Sequence, residues 1–424
     1  MRRPFVSVLV LVVVVALIGY FALARRPSID GIMPPASSSF APELVARGEV
    51  LAGAGNCASC HTISGGQAYA GGVPIRTPFG VVYSTNITPE PGTGIGTWSQ
   101  EAFGRALREG VARDGSHLFP ALPYDHFTKL TDADVAALYA YFMTRAPVDA
   151  PARTNAIPFP LDIRALQAGW KLLYFRAGRF VPNTDHSAEW NRGAYLAEGV
   201  SHCGACHTPR NMLGAEQTSQ AFGGAAINGW IAPPINQDNP SPVPWTAQEL
   251  FAYLRGGVSR YHGTAVGPMS EVVHKDLVAL PDADIQAIAV YFADVDAAAV
   301  HAARTAPALQ GAVAANRQSG DGLYAAACAS CHYTGAAGPD PLRPDLALNS
   351  AIQLDDPANL IRVMLDGVDA EQGAPGIVMP AFAGLSDTDL AAIAAYLRST
   401  RTSRAPWNGL EQAIAAARTQ GPAL

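Results

Sequence analysis

The sequence predicts an all-α chain of three small tandem domains, each with long irregular loops, behind an N-terminal transmembrane helix. Three observations predict it: a Cys-x-x-Cys-His segment that occurs three times, an acid-capped apolar helix that also occurs three times, and one unbroken apolar run at the start of the chain. At 424 residues the chain is too long for one ordinary core and suits about two to four domains. Hydrophobic residues make up 49% and charged residues 15%, a globular composition, and the net charge is -6. A mildly acidic balance without basic runs argues against nucleic acid as a partner.

Arg2 and Arg3 precede an apolar run from Phe5 to Ala24, and Arg25 and Arg26 close it. A run of that length can cross the hydrocarbon layer, whereas a cleavable signal core is usually about 7–15 residues. The length favours an uncleaved anchor within residues 1–30; the alternative is cleavage after Ala22-Leu23-Ala24, which has the small-x-small form. Arginines on both flanks leave the charge rule silent on orientation. Either reading places the rest of the chain outside the cytoplasm, on the periplasmic side of the inner membrane.

All six cysteines lie in pairs: Cys57/Cys60, Cys203/Cys206 and Cys328/Cys331. An exported chain invites a disulfide reading, but His61, His207 and His332 follow the pairs directly. That is the c-type haem attachment sequence. Two thiols one helical turn apart reach the two vinyl groups of one porphyrin, and the adjacent imidazole becomes the proximal iron ligand. A thioredoxin-like dithiol or half a zinc site shares the Cys-x-x-Cys spacing. Three pairs that use every cysteine, each followed by one of only ten histidines, select covalent haem, three per chain.

Haem electron carriers commonly complete the iron with Met. Met379, in Val378-Met379-Pro380, is the candidate for the third site, and Met269, in Gly267-Pro268-Met269, for the second, with His274 as its rival. In the first, Leu122 stands where sulfur is expected, and leucine cannot ligate iron. Either that haem is five-coordinate, or His126 or His117 swings in, or Met143 is recruited; His126 is the candidate, while the apolar helical spacing around Met143 marks it as core.

Before the closing helix of each repeat stand Leu130-Thr-Asp-Ala-Asp134, Leu280-Pro-Asp-Ala-Asp284 and Leu385-Ser-Asp-Thr-Asp389. Thr131 with Asp134 and Ser386 with Asp389 are capping-box starts, and Pro281 suits a first helical turn. Apolar residues then recur at three and four positions, as for a helix packed on one side. Arg47-Gly48 and Arg192-Gly193 open helices that run into the first two Cys pairs. The repeats divide the chain into 43–145, 188–297 and 318–400, separated by a connector, 146–187, and an Ala-rich linker, 298–317; residues 401–424 form a tail. The amphipathic stretch Leu166–Phe175 of the connector suits either a membrane surface or burial against a domain. Loops this long would ordinarily count against small domains, but a porphyrin supplies the core they wrap.

Together these motifs resemble the triple-haem cytochrome c subunit of bacterial membrane-bound dehydrogenases, the family serving quinone-linked alcohol and gluconate dehydrogenases and, in similar form, molybdenum hydroxylases of aldehydes or N-heterocycles. Thr77-Pro-Phe-Gly80, Tyr83-Ser-Thr-Asn-Ile-Thr-Pro89, Gly94-Ile-Gly96, Trp98, Glu189–Leu196 and Cys206-His-Thr-Pro-Arg-Asn211 carry the resemblance, which covers about residues 43 to 400. It implies class I cytochrome c domains and a large catalytic partner, whether quinoprotein, flavoprotein or molybdenum hydroxylase, that oxidises substrate. Electrons then pass through the chain to ubiquinone or a terminal oxidase. Leu122 departs from the Met of many relatives, and Pro123-Tyr-Asp-His126-Phe127 is closer to the molybdenum-hydroxylase companions. No catalytic constellation accompanies the haem sequences, so electron transfer without substrate chemistry is the expected function. The alternatives are a multihaem enzyme that uses an open first haem, and a soluble periplasmic carrier released by cleavage.

Overall fold

The computed structural model describes Val15 and residues 18–22, 24–316, 322–332, 343–369 and 378–420. Most of the expected anchor, residues 1–14, 16, 17 and 23, lies outside the described residues. Among the described residues no single helix is long and apolar enough to cross a membrane. The chain divides into two compact units, Met1–Val181 with Glu198–His202, and Pro182–Ala197 with Cys203–Leu424.

In the first unit α1 (Pro42–Ala54) leads into the short helix Cys57–His61, and α2 (Gln100–Glu109) and α3 (Asp132–Met143) follow. Helix α3 starts where the capping box predicts: the Thr131 side chain accepts from the Asp134 N–H. Helices α1 and α3 cross at Gly48, where a Cβ would lie 2.0 Å from the Ala137 carbonyl oxygen. Only glycine permits that approach, and the Arg47 guanidinium locks it by donating to the Asp134 carboxylate at 2.6 Å. Leu51, Ala52, Phe103, Val135, Leu138 and Phe142 fill the core around the crossing.

The connector forms α4 (Leu166–Tyr174). Its Lys171 is buried and donates to the Glu109 and Gly110 carbonyls, both at 2.6 Å, while Leu172 and Leu173 are exposed, so one side of α4 packs within the unit and another faces outward. The Tyr20 hydroxyl donates to the Ala165 carbonyl and accepts from the Gly169 N–H, tying the N-terminal segment to α4.

The second unit repeats the crossing. Helix α5 (Ala188–Tyr195) packs on α7 (Asp282–Val295), with α6 (Ala247–Gly256) between them in sequence. A Cβ at Gly193 would lie 2.0 Å from the Ala287 carbonyl oxygen, and Arg192 makes a two-pronged ion pair with Asp284. Pro281 occupies the cap of α7 rather than its first turn. The Ala-rich linker is helical as well: α8 (Thr305–Asn316) places Ala308, Leu309 and Ala312 against Val243, Tyr261, Ala347 and Leu348. Beyond it α9 (Ala358–Asp366), α10 (Asp387–Arg401) and α11 (Leu410–Gln420) share a core of Leu360, Ile361, Met364, Leu390, Ile393, Leu397, Leu410 and Ile414.

The expected long irregular loops are more ordered than the sequence suggested. Antiparallel hairpins occupy Pro74–Thr77 with Gly80–Tyr83, and Ala225–Ile227 with Trp230–Ala232. Helices α2, α6 and α9 fill the same stretches, each ending at a positive-φ glycine, Gly110, Gly257 or Gly367. The Val after each glycine pairs back onto a later segment: Val111 with His117, Val258 with Thr264, and Val368 with Met379. Backbone groups along these stretches find their partners in these short elements.

Candidate functional site

Each Cys-x-x-Cys-His segment forms one short helical turn, at Cys57–His61, Gly204–His207 and Ala329–His332, which sets both sulfurs and the imidazole on one compact surface. Asn56, in the left-handed conformation at φ 57°, turns the chain from α1 into the first, a geometry Asn tolerates better than most residues. None of the six sulfurs is joined in a disulfide. Burial pushes the Cys203 thiol up to about 12 and raises those of Cys206 and Cys328, the opposite of a reactive dithiol, whose thiolate must be favoured.

The histidines show what the turn is built for. His61 Nδ1 bonds the Thr85 carbonyl at 2.6 Å, His207 Nδ1 the Pro233 carbonyl at 2.8 Å and His332 Nδ1 the Pro344 carbonyl at 3.5 Å. A carbonyl oxygen only accepts, so Nδ1 carries the proton and Nε2 keeps its lone pair, the arrangement that orients a metal-ligating imidazole. Burial lowers the pKa of all three, which favours the neutral, ligating form. In the first two segments a glycine N–H also grips the carbonyl of the same histidine: Gly71 to His61 and Gly224 to His207, both at 2.7 Å.

Aromatic walls flank both. Tyr69, at φ 62°, meets Tyr141 and Phe142 edge-on; Phe222, at φ 59°, meets Tyr291 and Phe292 in the same way. Near the third, Tyr324 packs on Tyr396. Trp230 Nε1 is buried without a hydrogen-bond partner, and its ring lies against Gly267, two residues before Met269. Paired thiols on one turn, an Nδ1-anchored imidazole, apolar aromatic walls and a buried donor lacking an acceptor fit covalently attached haem.

Met269 opens a short helix, Pro268–Glu271, and is half-buried; Met379 is half-buried and backbone-paired with Val368. His274 lies in the π-turn Val272–Asp276, with Nε2 buried and unpartnered. Leu122 is half-buried. His126 is buried, and its Nδ1 bonds the Glu198 carbonyl at 2.8 Å. His117 is committed elsewhere, its Nε2 to the Ala24 carbonyl at 2.7 Å and its Nδ1 to Lys171 at 3.1 Å. Met143 is 2% exposed in α3, a core residue as its helical spacing indicated. The carbonyls of Thr85, Pro233 and Pro344, which aim the imidazoles, were not anticipated; only Thr85 falls within a motif the sequence made conspicuous.

Residues 45–146 match the family model for cytochrome c, and residues 315–397 that for subunit III of cbb3-type cytochrome c oxidase. The chain is 44% identical over 403 residues to a nicotinate dehydrogenase subunit of Pseudomonas putida, covering 94% of this chain but 34% of that protein, so it spans about a third of that relative's length. It is 42% identical over 396 residues to the fructose dehydrogenase cytochrome subunit of Gluconobacter japonicus, covering 86% of this chain and 81% of that one. It is 38% identical over 379 residues to the gluconate 2-dehydrogenase cytochrome c subunit of Pantoea cypripedii, covering 84% and 85%. The chain therefore belongs to the family of cytochrome c subunits of dehydrogenases.

Proposed function

We propose that this chain is a triple-haem electron-transfer subunit: three cytochrome c domains, 43–145, 188–297 and 318–400, held on the periplasmic face of the cytoplasmic membrane by the N-terminal helix. The observation that carries the reading is the Nδ1-to-carbonyl bond made by the histidine of every Cys-x-x-Cys-His turn. Haem c bound there supplies a one-electron iron couple, with no proton or substrate atom needed at the site. Cys57 with Cys60, Cys203 with Cys206, and Cys328 with Cys331 would hold the haems covalently. His61, His207 and His332 would ligate iron through Nε2, and Met269 and Met379 would be the sulfur ligands of the second and third sites. His126, fixed through Nδ1, is the candidate for the first. Apolar rings beside the first two sites, Tyr69 with Phe142 and Phe222 with Phe292, would favour the less charged state of a bound centre.

The partner is a large catalytic dehydrogenase subunit, and ubiquinone or a terminal oxidase receives the electrons. The 44% identity to a subunit of nicotinate dehydrogenase favours a partner that oxidises an N-heterocycle. Tyr20 supports the membrane placement, because it ties the apolar N-terminal segment to α4, from which Leu172 and Leu173 project. Purification from membranes should yield three haemochromes per chain and a co-purifying large subunit. A colourless, fully matured chain would refute the reading. Leu122 motivates a second reading, a catalytic first haem with an open position, which requires that one haem of the three bind carbon monoxide.

A further inference from the structure

The hairpin Ala225–Ile227 with Trp230–Ala232 has one polar edge that its own two strands do not close. Ile227 and Trp230 flank the two-residue turn, and the next pair, Ala226 with Ile231, is a non-hydrogen-bonded one, so Ile231 turns its N–H and carbonyl away from its partner. A single side chain closes that edge from within the same compact unit. Asn359, the second residue of α9, accepts from the Ile231 N–H through Oδ1 at 2.7 Å and donates to the Ile231 carbonyl through Nδ2 at 2.8 Å, so one amide stands in for a neighbouring strand. Arg362, three residues further along α9, and Gln420, at the end of α11, meet at 2.9 Å beside the turn, where a Cβ on Gly229 would lie 3.1 and 3.0 Å from their polar atoms.

Both ends of the strand reach a segment that carries a candidate iron ligand. At one end the buried Trp230 ring lies against Gly267, two residues before Met269, so closely that a Cβ on Gly267 would be 2.5 Å from a ring carbon. At the other end Pro233 follows Ala232 directly, and its carbonyl accepts from His207 Nδ1 at 2.8 Å. The first repeat closes the corresponding edge by other means. Val81, like Ile231 the second residue after its hairpin turn, exchanges both backbone bonds with Ala156 of the connector, at 3.0 and 2.9 Å, and the next outward N–H, that of Tyr83, donates to Asn155 Oδ1 at 2.9 Å. In each repeat, then, residues from further down the chain fix the hairpin strand that leads to the carbonyl aiming the imidazole.

We propose that Asn359 is a positioning residue for the second haem: a side chain of the third repeat that holds, through Ile231, the segments carrying His207 and Met269. The inference rests on the triple-haem reading and on Met269 as the sulfur ligand. An imidazole is oriented by the acceptor on its Nδ1, and that carbonyl is only as fixed as the strand it ends. The potential of the second haem is therefore set in part by the repeat that follows it.

Two substitutions in the complete, haem-loaded chain test this. Asn359→Leu keeps the shape of the side chain and removes both bonds. Asn359→Asp keeps the acceptor for the Ile231 N–H but sets a carboxylate oxygen against the Ile231 carbonyl. Each is read in a chain that also carries Met379→Ala, where, with Leu122 at the first site, the sulfur-to-iron charge-transfer band reports the second haem alone. Asn359→Leu should keep three haemochromes, weaken that band and lower the midpoint potential of the same haem toward that of the Met269→Ala chain. A merely structural asparagine would lower the melting temperature and leave band and potential in place. If Asn359→Leu does not load haem, Asn359→Asp decides by the same two readings. An unchanged band and potential in a fully loaded Asn359 variant overturn the proposal. A Met379→Ala chain with no sulfur band at all refutes instead Met269 as a ligand, and with it the reading beneath the proposal.

Discussion

Gly48→Ala tests whether the helix crossing, rather than the cofactor alone, organises the first haem sequence. The added methyl would sit 2.0 Å from the Ala137 carbonyl oxygen, 2.6 Å from its carbon and 2.7 Å from Tyr141 Cβ. Even attractive carbon–oxygen contacts stay near 3.3–3.6 Å, so α1 must retreat by roughly 1.3 Å. The obstacle is backbone and cannot rotate away, which puts the penalty at the upper end of the range of about 1–3 kcal/mol for overpacking. Better helix propensity returns up to about 1 kcal/mol, leaving a net loss of about 2 kcal/mol. For a compact unit running over Met1–Val181 with Glu198–His202 that corresponds to about 4–8 °C in Tm. The retreat also pulls Arg47 from Asp134. Thermal unfolding by circular dichroism, with haem content measured in parallel, reads the effect, and Gly193→Ala should match it because its Cβ would lie 2.0 Å from the Ala287 oxygen. Gly311→Ala in α8 is the control: nothing lies within 4 Å of its Cβ, so only the propensity gain remains. If Gly48→Ala melts with the wild type, the crossing is looser than argued and the reasoning fails.

Met269→Ala and Met379→Ala should each lower the potential of one haem and remove its sulfur-to-iron charge-transfer band; an unchanged spectrum means the wrong sulfur was chosen. Burial, with Arg26 adding to it, pushes Lys171 down to about 7 from its ordinary 10.5. Below that lower value the amine is charged in both states and its burial is unfavourable. Between the two values the unfolded chain binds the extra proton, so stability rises with pH across that window, and Lys171→Met should abolish the rise in urea-unfolding midpoints. Arg418→Met removes donors to Asp387, to the Ala383 carbonyl and to the Leu385 carbonyl, each worth about 1 kcal/mol net. Amide exchange over residues 383–387, just past Met379, should accelerate while α1 to α3 stay protected.

What was legible in the sequence is what is local in the chain. The Cys-x-x-Cys-His turns are written in consecutive residues because thioether attachment and axial ligation both fit within one helical turn. The caps at Thr131 and Ser386 each span four positions, and the closing helices begin beside them, at Asp132 and Asp387. Two local signals were overlooked. Thr246-Ala-Gln-Glu249 is a capping box, and it starts α6; Asn228-Gly229 between Ile227 and Trp230 is a hairpin turn, and the strands flank it. Both lie in loops whose Gly and Pro content masked short elements. The carbonyls that aim the imidazoles, and the Asn359 bonds that close the Ile231 edge, join residues far apart in sequence, and no periodicity encodes them.

The third repeat shows why the same motif need not carry the same scaffold. Arg-Gly pairs bring α1 onto α3 and α5 onto α7; in the third repeat Tyr324 packs on Tyr396 of α10, and α11 adds Leu410 and Ile414 to the core of Leu390, Ile393 and Leu397. Arg398 there donates to the Ile352, Leu354 and Ala405 carbonyls and covers the Trp407 ring at 4.5 Å. A covalently fixed porphyrin requires only that one helix present the turn and another close over it. In the third repeat a further helix from the following segment adds a second brace. The tail beyond Arg401, which the sequence left unassigned, therefore belongs to the same core as the helices around the third Cys-x-x-Cys-His turn, into which it buries Trp407, Leu410 and Ile414.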